Sequence, residues 1–101
     1  MELWEVLVPT VRRDGRPIRT RFHRVWDAKV RALTGGLTIL PVARGQWVSP
    51  EGELFAERMI PVRIACTREQ IIEIVKFSLD YYEQLAIMAY RVSECVLIVE
   101  R

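Results

Sequence analysis

Blocks of apolar residues with two different spacings predict the elements of the first half of the chain. The mostly apolar run Leu3–Val8 stops at Pro9 and predicts a buried strand, because proline has no N–H for a strand ladder. After a polar loop, apolar residues from Phe22 to Leu33 recur at near-helical spacing and predict an amphipathic helix. Thr20 is the expected N-cap of this helix, and Gly35 is the expected residue that ends it.

The second half of the chain predicts two strands, a helix and a final strand. Leu37–Val48 predicts an irregular strand that Pro41 confines to an edge or a bulge. A turn rich in Pro and Gly follows, and Leu54–Cys66 predicts the returning strand. Thr67–Tyr82 starts with a capping-box pattern and predicts a second helix. The apolar stretch Leu85–Val99 predicts a long or bulged final strand.

The order β-α-β-β-α-β predicts an α+β ferredoxin-like sandwich. Right-handed crossovers around a central hairpin give a four-stranded antiparallel sheet in the order 4-1-3-2, with two helices on one face. The 101 residues are expected to form a single domain, residues 1–101. Another α+β arrangement of the same elements is the alternative.

The strands are apolar on both faces, which predicts that the open face of the sheet is also covered. In the first strand Leu3 and Leu7 fall on one face, and Trp4, Val6 and Val8 fall on the other. The final strand is apolar on both faces as well. A sheet face that meets water is normally polar. We therefore expect a homodimer through the open sheet face, although the final strand could instead extend across a neighbouring molecule.

Composition and charge exclude several classes of protein. With 50% hydrophobic residues and a net charge of +2, the chain is not expected to be disordered. Two cysteines and one histidine do not supply the ligand pairs of a structural zinc site, so no metal and no cofactor are expected. No export signal or membrane span is recognisable, which favours a cytoplasmic protein that does not engage a membrane.

One end of the predicted sandwich gathers residues suited to binding a small-molecule or anionic ligand. The loop after the first strand, the tip of the central hairpin and the end of the second helix meet there. They bring together guanidinium groups, aromatic surface and carboxylates, which makes this end the candidate site. The candidate ligand-binding residues are Arg12, Arg13, Arg16, Arg19, Trp47, Glu57, Tyr81, Tyr82, Glu83 and Gln84. Tyr82 is expected to face the core and Gln84 to satisfy local backbone groups.

Short motifs in the middle of the chain resemble a family of small bacterial proteins classified as a domain of unknown function. The matching runs are Gly36-Leu37-Thr38 and Gly45-Gln46-Trp47, followed by Gly52 and Glu57. Many members of that family carry an export signal, whereas none is expected in this chain. The resemblance implies a ferredoxin-like fold and supplies no activity and no catalytic residues.

Three functions follow from these observations. The first is a non-catalytic homodimeric binding or accessory module, since no catalytic motif is present. The alternative is a small cofactor-free enzyme, isomerase-like or oxygenase-like, with a cavity at the sheet or the dimer interface. His23 would be its only near-neutral base, although an exposed position is expected for that residue. The third is nonspecific nucleic-acid binding through the basic segment Arg12–Arg31, which we regard as the least favoured.

Overall fold

The computed structural model describes residues 1–101 and contains two helices and one antiparallel sheet of five strands. The architecture is the α+β ferredoxin-like class that the sequence predicts. The elements in chain order are β1 (Glu2–Pro9), α1 (Thr20–Thr34), β2 (Thr38–Ile39), β3 (Ala43–Val48), β4 (Leu54–Cys66), α2 (Arg68–Tyr81) and β5 (Ala89–Ser93).

The sheet has the order β2-β4-β1-β5, and β3 pairs with β4 beyond the end of β2. This differs in detail from the predicted four strands in the order 4-1-3-2, because the predicted second strand is two strands. Pro41 lies between them and cannot donate to the ladder. The central strand β4 is continuous and pairs with β1 from Met59 to Cys66. Pro61 does not interrupt it, and its carbonyl accepts a 2.9 Å hydrogen bond from the Leu40 amide.

The final strand is much shorter than the predicted Leu85–Val99. Only Ala89–Ser93 forms β5, which pairs with Leu3–Val6 of β1 and stops near the start of that strand. Most of the apolar residues after β5 are exposed, with Leu97 at 84% and Val99 at 83%. High β propensity therefore does not make a strand where no partner strand lies alongside.

The helix ends follow local sequence signals, with one exception. Gly35 ends α1 in the left-handed conformation, with φ of +92°, as predicted. The capping box at the start of α2 is also confirmed, since Thr67 and Gln70 bond each other's backbone N–H groups. Thr20, however, is the first helical residue rather than the cap. The N-cap is Arg19, and no side chain bonds the free N–H groups there.

Both helices pack on the face of the sheet formed by alternate residues of β1 and β4. The Trp26 indole lies at the centre of this core and is 1% exposed. Val25, predicted on the same helix face, is instead 58% exposed because it lies one position away from the buried stripe. The buried core residues are Val6, Val8, Ile18, Trp26, Val30, Val62, Ile64, Cys66, Ile71, Ile74 and Tyr82.

The open face of the sheet has a polar centre, which corrects the expectation of a wholly apolar face. Glu5 is only 6% exposed and lies between Arg63 of β4 and Tyr90 of β5. The Arg63 Nε donates a 2.9 Å hydrogen bond to the Glu5 carboxylate, and the Tyr90 hydroxyl donates to its other oxygen. Leu3 and Leu7 flank this group and are partly exposed.

A two-stranded ribbon extends beyond the sandwich and gives the molecule a long axis of 51 Å. It consists of β3 and residues 54–58 of β4, and we refer to it as the arm. β1 ends opposite Met59, so the arm has no β1 beside it. Gly45 permits the close packing of the arm, since a Cβ there would lie 2.8 Å from the Met59 methyl group.

Candidate functional site

An open cleft of about 560 Å³ lies between the β1–α1 loop and the end of α2. The fold brings these two segments together although they are some seventy residues apart in the chain. The lining residues are Arg12, Arg13, Asp14, Arg16, Tyr82 and Glu83. Five of these six residues belong to the set proposed from sequence, and Asp14 is the addition.

A tight turn gives the β1–α1 loop its shape. The Arg12 amide donates to the Arg16 carbonyl at 2.8 Å, and the Gly15 amide donates to the Arg12 carbonyl at 2.9 Å. Gly15 has φ of +87°, a conformation that glycine adopts without strain. The Asp14 carboxylate accepts hydrogen bonds from the backbone N–H and the Nε of Arg16, at 3.0 and 2.7 Å. These bonds hold the pKa of Asp14 below its usual value.

Two of the three cleft arginines have no acidic partner. Arg16 is paired with Asp14, whereas Arg12 and Arg13 form no salt bridge. The Arg12 guanidinium lies 4.8 Å from the centre of the Phe22 ring, a cation–π contact that orients it. Arg13 is exposed. A guanidinium group without a carboxylate partner is suited to binding a phosphate or a carboxylate group of a ligand.

Tyr82 forms the base of the α2 side of the cleft and is bonded to a histidine that sequence analysis misplaced. Tyr82 is 1% exposed, as expected for a core-facing residue. Its hydroxyl lies 2.7 Å from the Nδ1 of His23, which is half-buried rather than exposed. Burial lowers the pKa of His23 and raises the pKa of Tyr82. The missed signal is that His23 lies three residues before Trp26, on the buried stripe of α1.

The residues after Tyr82 fix the end of α2 against the loop. Glu83 has φ of +52°, and its left-handed conformation turns the chain out of the helix. The backbone N–H of Gln84 donates to the Leu79 carbonyl, as in a Schellman motif at a helix C-terminus. The Gln84 side chain donates to the carbonyls of Tyr82 at 3.1 Å and Val11 at 3.5 Å. Gln84 therefore joins the two walls of the cleft through backbone groups.

Two further candidate residues lie near this region without lining the cleft. Tyr81 stacks on Phe22 with ring centres 4.2 Å apart, and its hydroxyl donates to the Phe22 carbonyl at 2.7 Å. Burial raises the pKa of Tyr81. Arg19 is exposed at the N-cap of α1. Tyr81 thus supports the cleft from behind, and Arg19 lies outside it.

Trp47 and Glu57 are not part of the cleft, which corrects their placement in one site with the arginines. They lie on the arm, where the Trp47 indole nitrogen donates to the Glu57 carboxylate at 3.3 Å. Trp47 also stacks on Phe55 with ring centres 4.6 Å apart. The arm carries them past the end of β1, and sequence alone does not show how far the hairpin overhangs the sandwich.

The chemistry available at the cleft is recognition of negative charge. Three guanidinium groups face two carboxylates, those of Asp14 and Glu83, and only Arg16 is neutralised by an ion pair. No group of three or more His, Cys, Asp or Glu side chains gathers in the structure. His23, whose pKa is lowered by burial, contacts the cleft only through the Tyr82 hydroxyl.

The structure is a small ferredoxin-like α+β fold with an arginine-lined cleft at one end, and several solved structures share that fold. The divalent cation tolerance protein CutA1 from Thermus thermophilus is 13% identical, with a TM-score of 0.64, covering 94% of this chain and 86% of its own. A phage SAM lyase in complex with S-methyl-5'-thioadenosine is 12% identical, with a TM-score of 0.64 and coverage of 90% and 88%. A Bacillus subtilis GlnK–ATP complex is 15% identical, with a TM-score of 0.53 and coverage of 91% and 84%. At these identities the likeness shows the fold.

No protein-family model matches the sequence, and no curated protein matches it. The resemblance carried by the Gly-Leu-Thr and Gly-Gln-Trp motifs therefore stays an expectation. Neither helix is long and apolar enough to cross a membrane.

Proposed function

We propose that the chain is a small non-catalytic binding module that takes an anionic small molecule in the cleft. The observation that carries this proposal is the pair of arginines, Arg12 and Arg13, which face the cleft without an acidic partner. A bound phosphate or carboxylate would supply the missing partner through charge-assisted hydrogen bonds. The ordered turn at Asp14 and Arg16 fixes the backbone from which both side chains project.

Compounds that contain adenosine are the first ligands to test. Two structures of this fold are complexes with adenosine compounds: the phage lyase with S-methyl-5'-thioadenosine and the Bacillus GlnK with ATP. The two compounds differ in charge, because ATP carries a triphosphate and the thioadenosine carries no phosphate. A cleft that recognises negative charge will prefer ATP, whereas one that recognises the adenosine group will bind both.

Self-association through the open sheet face is part of the proposal. Leu3, Leu7 and Met59 lie on this face and remain partly exposed. A second copy would cover these side chains together with the polar group around Glu5. A homodimer is the smallest assembly that does so. The two free thiols are consistent with a cytoplasmic protein.

Calorimetric titration with ATP tests the cleft. We expect binding by the native chain and a loss of roughly tenfold to 100-fold in affinity for both Arg12→Ala and Arg13→Ala, as for a charge-assisted bond. Arg24→Ala is the matched control, because Arg24 is an exposed arginine of α1 outside the cleft. Absence of binding, or an equal loss in the Arg24 variant, would contradict the proposal. Tighter binding of a short RNA than of ATP would favour the nucleic-acid hypothesis instead.

A second candidate function, a cofactor-free enzyme, is favoured by the contact between His23 and Tyr82. A half-buried imidazole that is hydrogen-bonded at the wall of a cleft is suited to act as a general base. Incubation with ATP and with S-adenosylmethionine, followed by product analysis, distinguishes the two functions. Turnover that His23→Gln abolishes would establish an enzyme. Binding without turnover would support the non-catalytic binding module.

A further inference from the structure

The arm leaves one edge of β4 without a partner strand. Between Met59 and Cys66 this edge is paired with β1, but β1 ends at Pro9. Residues Leu54–Glu57 make backbone hydrogen bonds only to β3 on their other side. At the boundary the Thr10 hydroxyl donates to the Arg58 carbonyl at 2.8 Å and ends the pairing. Because backbone groups of successive residues point to opposite edges of a strand, Leu54 and Ala56 present free N–H and C=O groups at the open edge, whereas Phe55 and Glu57 are bonded to β3.

The side chains of the arm are exposed to an unusual degree for their size and polarity. Val48 is 62% exposed, Leu54 61%, Trp47 48% and Phe55 37%. An isolated two-stranded ribbon is marginally stable in water, and a third strand normally stabilises it. Both the open backbone edge and the apolar side chains thus indicate a missing strand beside the arm.

The C-terminal tail, residues 96–101, has the composition of a strand and no strand partner. Val96–Val99 are four aliphatic β-formers in a row, and they make no backbone hydrogen bond. Leu97 and Ile98 are 84% and 65% exposed. Four extended residues have the length of the segment Leu54–Glu57, so a strand formed by the tail would supply hydrogen-bond partners along the open edge.

The tail cannot reach the arm of its own chain. Ser93 lies opposite Leu3, at the end of the sheet away from the arm. From Leu3 to Pro9 the sheet runs about 20 Å, and Phe55 lies about 14 Å beyond Met59, at about 3.4 Å per residue. Val99, the last of the four aliphatic residues, extends at most about 22 Å from Ser93 at about 3.6 Å per residue. A tail that pairs with the arm must therefore come from another copy.

We propose that the C-terminal tail of one copy adds as a strand to the free edge of β4 in the arm of a second copy. The added strand takes the position beyond Pro9 that β1 leaves vacant, and it covers apolar side chains of the arm. This contact is separate from the open sheet face and from the arginine cleft. It joins two different surfaces, so the copies form a closed ring or exchange tails reciprocally.

Disulfide trapping between two differently labelled chains tests the contact. Both chains carry Cys95→Ser; one also carries Ala56→Cys in the arm, and the other carries Leu97→Cys or Ile98→Cys in the tail. Neighbouring strands bring Cα atoms to within about 5.5 Å, close enough for a disulfide. We expect an intermolecular cross-link with at least one tail variant, detected by mass spectrometry of the mixed dimer.

Gln46→Cys is the matched control for the arm position. Gln46 lies directly opposite Ala56 in the β3–β4 ladder, and both residues are exposed. A strand on the free edge of β4 lies two strand spacings from β3, roughly 9.6 Å, which is too far for a disulfide. We expect at least tenfold less cross-linking with Gln46→Cys. Equal trapping at both positions, preferential trapping at Gln46, or no trapping would overturn the proposal.

Removal of residues 96–101 provides the second measurement. The tail is outside the core, so we expect the shortened chain to keep its far-ultraviolet circular dichroism and its ATP affinity. Native mass spectrometry should show a smaller assembly than that of the full chain. An unchanged assembly would contradict the tail contact, whereas a full chain that forms the cross-link but does not bind ATP would count against the cleft alone.

Discussion

The indole nitrogen of Trp26 donates a 2.9 Å hydrogen bond to the hydroxyl of Ser78, and this bond joins the two helices inside the core. Both side chains are 1% exposed. The Ser78 hydroxyl in turn donates to the Ile74 carbonyl at 2.6 Å, so it is satisfied as donor and as acceptor. A serine at this position lets a large aromatic residue enter the core without leaving its N–H unpaired.

Replacement of Ser78 by alanine is expected to destabilise the fold by about 1–3 kcal/mol. The substitution leaves the Trp26 N–H buried without an acceptor, and the desolvation of that group is no longer compensated. Urea unfolding monitored by tryptophan fluorescence measures the change. Ser49→Ala is the control, because Ser49 lies in the exposed turn of the arm and should alter stability much less. Equal effects of the two substitutions would show that the indole bond does not matter.

Stability is expected to fall as the pH decreases from about 8 to about 5.5. Burial holds the pKa of His23 below its usual 6.5, so the unfolded chain binds the proton more readily than the folded chain. Protonation therefore favours unfolding, and this loss begins near the unfolded pKa and is complete below the folded pKa. Urea unfolding at both pH values, compared with His23→Gln, checks this. If His23→Gln shows the same pH dependence as the native chain, groups other than His23 cause the effect.

The general architecture was predictable because each element carries a local signal. The apolar run Leu3–Val8, the capping box at Thr67 and the glycine at position 35 are all signals that act within a few residues. The extent of β5 was not predictable, because the segment Leu85–Val99 is nearly all apolar and its pattern does not show that only Ala89–Ser93 pairs with β1. The β propensity of a segment shows that its residues fit a sheet, but it does not show which strand they pair with.

The cleft was partly predictable for the same reason. The topology of the fold places the β1–α1 loop beside the end of α2, so Arg12 and Glu83 were correctly expected at the same end. Trp47 was expected there too, but the overhang of the arm depends on where β1 stops relative to β4. The contact between His23 and Tyr82 joins residues that are 59 positions apart, and only the packing of α1 against α2 creates it.

The polar group on the open sheet face is expected to be sensitive to removal of its arginine. Arg63→Ala leaves the Glu5 carboxylate buried with the Tyr90 hydroxyl as its remaining partner. Because the Arg63 side chain is 42% exposed, water screens part of the interaction, and we expect a loss of about 1–3 kcal/mol. Thermal unfolding measures it. In the variant Glu5→Gln/Arg63→Met, which removes both charges, much of the loss should be recovered; if none is, packing rather than charge is responsible.

The two cysteines are expected to differ in reactivity. Cys66 is buried at the end of β4, and burial raises its thiol pKa to about 11, which leaves almost no thiolate at neutral pH. Cys95 is exposed at the start of the tail. Titration with a thiol-specific chromogenic reagent at about pH 7.5 should detect one group per native chain and a second only in urea. Rapid reaction of both thiols under native conditions would show that β4 opens readily at its end.

The uninterrupted course of β4 through both the core and the arm gives one strand two levels of local stability. Between Ile60 and Ile64 its amides lie within the sandwich, whereas between Leu54 and Glu57 one edge is open to solvent. Hydrogen exchange should therefore be slow in the first segment and fast in the second, although no loop separates them. Anything that binds the open edge would slow exchange there without any change in fold. The amide exchange rates of the arm therefore show directly whether its open edge is occupied.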